Sequence, residues 1–191
     1  MSLIEAIEVF AFVSGLAYIV LEILQKNAMW VIGILTGIAC AWSFHQQQLY
    51  ASMGLNLYYV GMSVVGLWQW RKAGKDTPEG ALHLEKPSAL TWWISGAVFV
   101  VGSLALIVLL HRLGDSESAM DAIVTVLSAI ATWWLAKSYP QQWFLWIAAD
   151  LLSTALCLSA GLYWMAVLYL AYTGSAVLGY LHWVRNGRYQ E

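Results

Sequence analysis

"MWVIGILTGIACAWSFHQQQLYASMGLNLYYVGMSVVGLWQWRKAG", Met29 to Gly74, and "QWFLWIAADLLSTALCLSAGLYWMAVLYLAYTGSAVLGYLHWVRNG", Gln142 to Gly187, align without a gap at a shift of 113 positions. The shift sets Trp30 on Trp143, Leu49-Tyr50 on Leu162-Tyr163, Tyr59 on Tyr172, Gly61 on Gly174, Gly66 on Gly179, Trp70 on Trp183 and Gly74 on Gly187. Apolar composition alone matches leucines and valines at many offsets. It does not match tryptophans, glycines and helix ends at a single one, so the chain reads as an internal duplication. Glu8 falls near Asp121 in the same frame.

Both copies are too apolar for a water-soluble domain. Hydrophobic residues make up 61% of the chain and charged residues 10%, with a mean hydropathy of +0.66. That composition is typical of a polytopic membrane protein. A bilayer core of about 30 Å is crossed by about 20 apolar helical residues. Seven runs meet that length approximately: Ile4 to Leu24, Met29 to Phe44, Leu49 to Trp70, Leu90 to Leu110, Ala119 to Lys137, Gln141 to Leu158 and Leu162 to Trp183. The second and sixth are short. All three prolines lie outside helix interiors: Pro78 and Pro87 fall in the loop "RKAGKDTPEGALHLEKPS", and Pro140 is expected at the first position of the sixth helix.

The charges exclude some functions and set an orientation. A net charge of −2 gives no basic field for nucleic acid. The opening "MSLIEAIEVF" carries Glu5 and Glu8 in place of a basic region, so the first helix is expected to be retained and not cleaved. Cys40 and Cys157 lie in apolar runs without metal-site spacing and are expected to be free, buried thiols. Arg112 is the one basic residue on the side of the N-terminus and the even-numbered loops. Lys26, Arg71, Lys72, Lys75, Lys86, Lys137, Arg185 and Arg188 fall on the other. This asymmetry predicts an external N-terminus and a cytoplasmic C-terminus.

Three helices end on the opposite side from where they began, so two such units in direct succession would be inverted. The fourth helix, outside the repeat, restores a parallel relation. The expectation is one transporter domain over 1–191: repeat one at 4–74, a linker helix at 90–110 and repeat two at 119–187, with a site between the halves.

The sixth helix supplies the centre of that site. Trp143, Trp146 and Asp150 are spaced i, i+3, i+7 and share one helical face. At 1.5 Å per residue, Asp150 lies roughly 14 Å from the helix start, near the bilayer midplane. A carboxylate facing lipid at that depth is expensive, so it is expected to face the bundle interior. No Lys or Arg of the chain sits there, which suggests a cationic substrate as its partner. At similar depth the third helix brings Asn56, Tyr59 and Ser63, and the seventh brings Tyr169 and Tyr172 with Thr173. The fifth helix carries the stripe Asp121, Thr125, Ser128 and Thr132, whose hydroxyls are expected to bond backbone or neighbouring helices. Trp68, Trp70, Trp92, Trp93, Trp133, Trp134 and Trp183 lie near helix ends, where an interfacial aromatic belt is expected. Gly61, Gly66, Gly174 and Gly179 are expected at close-packing positions.

"LAKSYPQQWFLWIAADLLS", "GLYWMAVLYLAYTGSAVLGYLHW" and, in the first half, "QLYASMGLNLYYVGMSVVGLWQW" resemble the PnuC family of vitamin transporters over nearly the whole chain. The resemblance implies an all-α, seven-helix, SWEET-like 3+1+3 fold in the inner (plasma) membrane of a bacterium. It implies facilitated uptake of nicotinamide riboside, with retention through phosphorylation by a cytoplasmic kinase. It places the binding face on Trp143, Trp146, Asp150 and Asn56, where relatives often carry Gln. Family members that carry thiamine are about equally similar, so thiamine stands as the alternative. Both vitamins have a positively charged aromatic ring, which suits stacking on Trp or Tyr beside a carboxylate. A homo-oligomer is compatible with the sequence.

An intramembrane enzyme would need a nucleophile and base, or metal ligands, at one depth. His45, His83, His111 and His182 all lie at helix ends or in loops, and no HExxH motif or P-loop occurs. Neither a catalytic residue nor a cofactor is expected. A structural membrane subunit remains the non-transport alternative, and it would not need Asp150.

Overall fold

The computed structural model describes residues 3–46, 50–73, 82–112 and 118–189. Seven helices account for nearly all of them: α1 (Leu3–Ile23), α2 (Ala28–Gln46), α3 (Tyr50–Ala73), α4 (Ala89–Arg112), α5 (Ser118–Ala136), α6 (Gln142–Ser159) and α7 (Tyr163–Asn186). Two three-residue strands, β1 (Leu82–Leu84) and β2 (Gly187–Tyr189), pair in parallel. The side chains of Glu5 and Glu8, and the residues Leu49, Gly74, Lys75 and Pro78, lie outside what is described.

Helices α2, α4, α5, α6 and α7 are each long and apolar enough to cross a membrane. The third is made more polar by Asn56, Gln69, Arg71 and Lys72. Pro140 is not the first residue of α6: it lies in the preceding turn, where its carbonyl accepts from the Trp143 N–H, and the helix begins at Gln142.

The helices of the two copies form one ring. Contacts run α1 to α2, α2 to α3, α3 to α5, α5 to α6, α6 to α7 and back from α7 to α1, while α4 packs on α5 outside the ring. The α3–α5 and α7–α1 seams occupy matching positions in the two repeats, as a two-fold arrangement requires. Positions 113 apart behave alike down to single atoms. Trp70 Nε1 donates to the carbonyl of Leu135, and Trp183 Nε1 donates to that of the equivalent Glu22 and to Ile23. Trp30 meets Trp70 edge-on at 5.1 Å, and Trp143 meets Trp183 edge-on at 5.6 Å. The turns after α1 and α5 each place one residue in the left-handed region, Gln25 at φ 50° and Ser138 at φ 57°.

These pairs form the main core cluster at the basic end of the bundle, where Trp30, Trp70, Trp143 and Trp183 join Met29, Leu135 and Leu84. Trp70, Trp134 and Trp183 therefore do not belong to an interfacial belt. They are fully buried, whereas Trp68, Trp92 and Trp93 are exposed as a belt requires. The glycines divide similarly. A Cβ on Gly179 would sit 2.5 Å from the Trp143 ring, and one on Gly66 would meet Trp30 in the same way. Gly61 and Gly174 have nothing within 4 Å, so they are not close-packing positions. Cys157 is a buried free thiol, and Cys40 is free but only half-buried.

The loop between α3 and α4 is pinned to this end. The Gln25 side chain pairs with the backbone of His83 in both directions, donating Nε2 to its carbonyl and accepting its N–H, each at 2.8 Å. The amide group thus acts as a second strand neighbour for β1 on the edge that β2 leaves free.

Candidate functional site

Asp150 occupies the middle of α6, and it is buried. Its carbonyl accepts from the Thr154 hydroxyl at 2.8 Å, but no described residue donates a hydrogen bond to its carboxylate. Trp143 and Trp146, two turns and one turn earlier on the same face, have buried indole N–H groups with no acceptor among the described residues. An acceptor without donors and donors without acceptors line one cavity of about 260 Å³. Buried polar groups are normally satisfied, and of this set it is the carboxylate that a molecule in the cavity could meet, since the indole N–H of Trp30, at the two-fold position of Trp143, is equally unpaired. Tyr172 of α7 and Tyr18 and Glu22 of α1 complete the wall.

Glu22 was not among the residues expected at the site. It is buried, and Gln142 Nε2 from the first turn of α6 donates to its carboxylate at 3.3 Å. The repeat frame carries the missed signal: its counterpart is the apolar Leu135, so one copy has a carboxylate where the other has leucine.

A second cavity, of about 350 Å³, lies against the first and shares Gly15, Tyr18 and Trp146 with it. It is lined by Asn56 and Tyr59 of α3, by Ser14 and Thr36, whose hydroxyls bond each other at 2.7 Å, and by Thr132 of α5. Tyr59 bonds the Ser128 hydroxyl, and Thr132 donates back to the Ser128 carbonyl at 2.8 Å. Ser128 and Thr132 of the fifth-helix stripe therefore make the helix–helix and backbone bonds expected of them, and Thr132 also borders the cavity. Asp121 is exposed near the start of α5. Tyr169 packs edge-on against Tyr172 at 6.1 Å but is not among the residues lining either cavity.

The two-fold frame is broken at the site itself. The counterparts of Trp146 and Asp150 are Gly33 and Gly37, and both line the second cavity. One copy supplies the aromatic surface and the charge, and the other supplies room. The two adjoining spaces together reach the size of small-molecule sites, about 300–1,000 Å³, at the interface of the repeats where transporters of this plan bind substrate.

A family model described as nicotinamide mononucleotide transporter matches residues 5–185. The chain belongs to that family. It is thus a multi-pass membrane transporter and not an enzyme. Among its relatives is the nicotinamide riboside transporter PnuC of Neisseria mucosa, 29% identical over 92% of this chain and 70% of that one. The PnuC of Escherichia coli is 26% identical over 95% and 86%. The riboflavin/roseoflavin transporter RibM of Streptomyces davaonensis is 23% identical over 91% and 82%. A crystal structure of the vitamin B3 transporter PnuC superposes with a TM-score of 0.67 at 28% identity, covering 92% of this chain and 79% of that one. Seven helices in the 3+1+3 order are therefore the family fold, and the family's work is transport.

Proposed function

We propose that this chain takes up nicotinamide riboside by facilitated diffusion and binds it in the paired cavity between the repeats. The observation that carries the reading is the Asp150 carboxylate, buried at mid-helix beside two unpaired indoles and without an internal partner. A pyridinium ring satisfies it twice, by charge and by stacking on Trp146 or Tyr172. The ribose hydroxyls, which donate and accept, then face the second cavity, where Asn56, Thr36 and Ser14 are placed to meet them. Trp143, Trp146, Asp150, Tyr172, Asn56 and Tyr59 are the proposed contacts, with Tyr169 supporting Tyr172 from behind.

The single transporter domain is read with its N-terminus outside and its C-terminus in the cytoplasm, from the clustering of basic residues at the β1–β2 end. In that orientation a cytoplasmic kinase retains the vitamin by phosphorylation, since a phosphate added to the ribose has no counterpart in a cavity with two carboxylates. Thiamine has a cationic ring too, but the relatives described above are named for nicotinamide riboside or for riboflavin, and thiamine is the less favoured substrate.

Asp150→Asn tests the reading. A buried hydrogen bond to a charged group is worth roughly 1.5–3 kcal/mol, so the dissociation constant for nicotinamide riboside should rise about ten- to a hundredfold. Asp121→Asn, exposed at the start of α5, should change it far less. Calorimetry on monodisperse purified protein separates affinity from folding, because a folding defect lowers yield and not the affinity of the folded fraction. Unchanged binding by Asp150→Asn would make the carboxylate structural.

A further inference from the structure

At the basic end of the bundle, α7 leaves an open groove of about 690 Å³ against α1, lined by Ile23, Leu178, Leu181, His182, Arg185 and Asn186. Residues 178, 181, 182 and 185 share one helical face, so the groove runs along α7 from the apolar zone to the interface. Its inner part is aliphatic: Leu178 and Leu181 are 63% and 50% exposed. Its outer rim is cationic and donor-rich. Asn186 Nδ2 donates to the His182 carbonyl at 2.9 Å and contacts His182 Nδ1 at 3.2 Å. An amide nitrogen has only donor hydrogens, so Nδ1 accepts and the ring proton sits on Nε2, directed away from Asn186. His182 Nε2–H and the Arg185 guanidinium are thus two donors at the head of an apolar trough.

The other seam shows what is particular here. Its two-fold counterpart, between α3 and α5, is a cavity lined by Trp68, Gln69, Lys72 and Ala136 at the matching positions. There the rim is occupied. Lys72 lies over the Trp68 ring at 5.8 Å, and His83 of β1 and the following Glu85, whose side chains contact each other at 3.3 Å, add a further wall. Among the described residues, nothing covers the α1–α7 groove in that way.

We infer that the α1–α7 groove binds an anionic phospholipid, its phosphate held by Arg185 and His182 Nε2–H and an acyl chain lying along Leu181 and Leu178. A planar guanidinium matches phosphate oxygens in two-point geometry, and basic pockets between helices on the cytoplasmic side are suited to acidic headgroups. The apolar trough makes the occupant a lipid and not a free phosphate. Ile23 is also a carbonyl acceptor for Trp183 Nε1, so a lipid seated here lies against the hydrogen bonds that tie α7 to α1.

The test uses the full chain, delipidated in detergent, with phosphatidylglycerol, phosphatidylcholine or inorganic phosphate titrated against thermal stability, and native mass spectrometry to count bound lipid. Phosphatidylglycerol should stabilise saturably, and phosphatidylcholine and inorganic phosphate should not. Arg185→Gln should raise the half-saturating phosphatidylglycerol concentration about tenfold, and His182→Phe, which keeps a ring and loses the donor, severalfold. Arg185→Lys, which keeps the charge and loses the two-point geometry, should fall between the parent and Arg185→Gln, which separates lost charge from lost folding. Lys72→Gln, at the two-fold position, should leave it unchanged. An equal effect of phosphatidylcholine or of inorganic phosphate would overturn the proposal, as would an unaltered Arg185→Gln. A Lys72→Gln defect as large as that of Arg185→Gln would reduce the effect to general basicity of this end, and would also overturn it.

Discussion

Gly179→Ala is a one-atom perturbation whose effect is worked directly from the core. The added Cβ would lie 2.5 Å from the far edge of the Trp143 indole, against an ordinary contact of at least 3.4 Å, so the ring must move by about 0.9 Å. Trp143 is 2% exposed and wedged edge-on against Trp183. The space open to it is the Asp150 cavity that it lines, and overpacking of this kind costs about 1–3 kcal/mol. Gly66→Ala does the same to Trp30, and the two variants should lose similar stability in thermal unfolding of the detergent-solubilised protein. They should differ in binding. Trp143 lines the Asp150 cavity and Trp30 lines neither cavity, so Gly179→Ala alone should also weaken nicotinamide riboside binding. A Trp143 ring pushed into the cavity crowds the cation stacked on Trp146 or Tyr172, and losing about 1 kcal/mol of that stacking corresponds to roughly a fivefold rise in dissociation constant. Gly61→Ala and Gly174→Ala, with nothing within 4 Å, serve as controls. Equal stability loss from Gly61→Ala, or equal binding loss from Gly66→Ala, would refute the reasoning.

Reporters fused before Met1 and after Glu191 should locate outside and in the cytoplasm respectively; the same side for both would contradict an odd number of spans. Cysteines at Tyr59 and Tyr172, which border the two adjoining cavities, should be protected from a thiol reagent together by substrate; protection of one alone would separate the cavities. Trp183→Phe keeps a ring in the core but removes the donor to Glu22 and Ile23. It should destabilise by about 1–3 kcal/mol, with a comparable loss from Trp70→Phe, measured by thermal unfolding.

Much of this molecule is legible in its sequence because a bilayer leaves few options for apolar runs and because the duplication repeats its packing atoms. The spacing of Trp143, Trp146 and Asp150 located the carboxylate, and its depth followed from the helix rise alone. What was not legible depends on direction around a helix. Trp70 and Trp183 sit near helix ends, as a lipid-facing belt would, and only the position of the neighbouring helix turns them inward. Gly61 and Gly174 match across the repeat as well as Gly66 and Gly179 do, yet no ring lies over them. Glu22, near the end of α1, resembles an interfacial charge until Gln142 is brought against it from more than a hundred positions away. The strands β1 and β2 are too short to show alternation and exist only because α7 ends beside the loop between α3 and α4.

That parallel pair also imposes a timetable on synthesis. Leu82–Leu84 leaves the ribosome early, and its backbone is joined to Gln25 by contacts already available within the first three helices. The opposite edge waits for Gly187–Tyr189, more than a hundred residues later, and can close only after all seven helices have been threaded. Gly187 is suited to that late closure, because a Cβ there would collide with Leu84. Formation of β2 thus reports that α7 is in place: a chain arrested before α7 inserts would keep one edge of β1 unpaired, a nascent-chain signature of incomplete translocation.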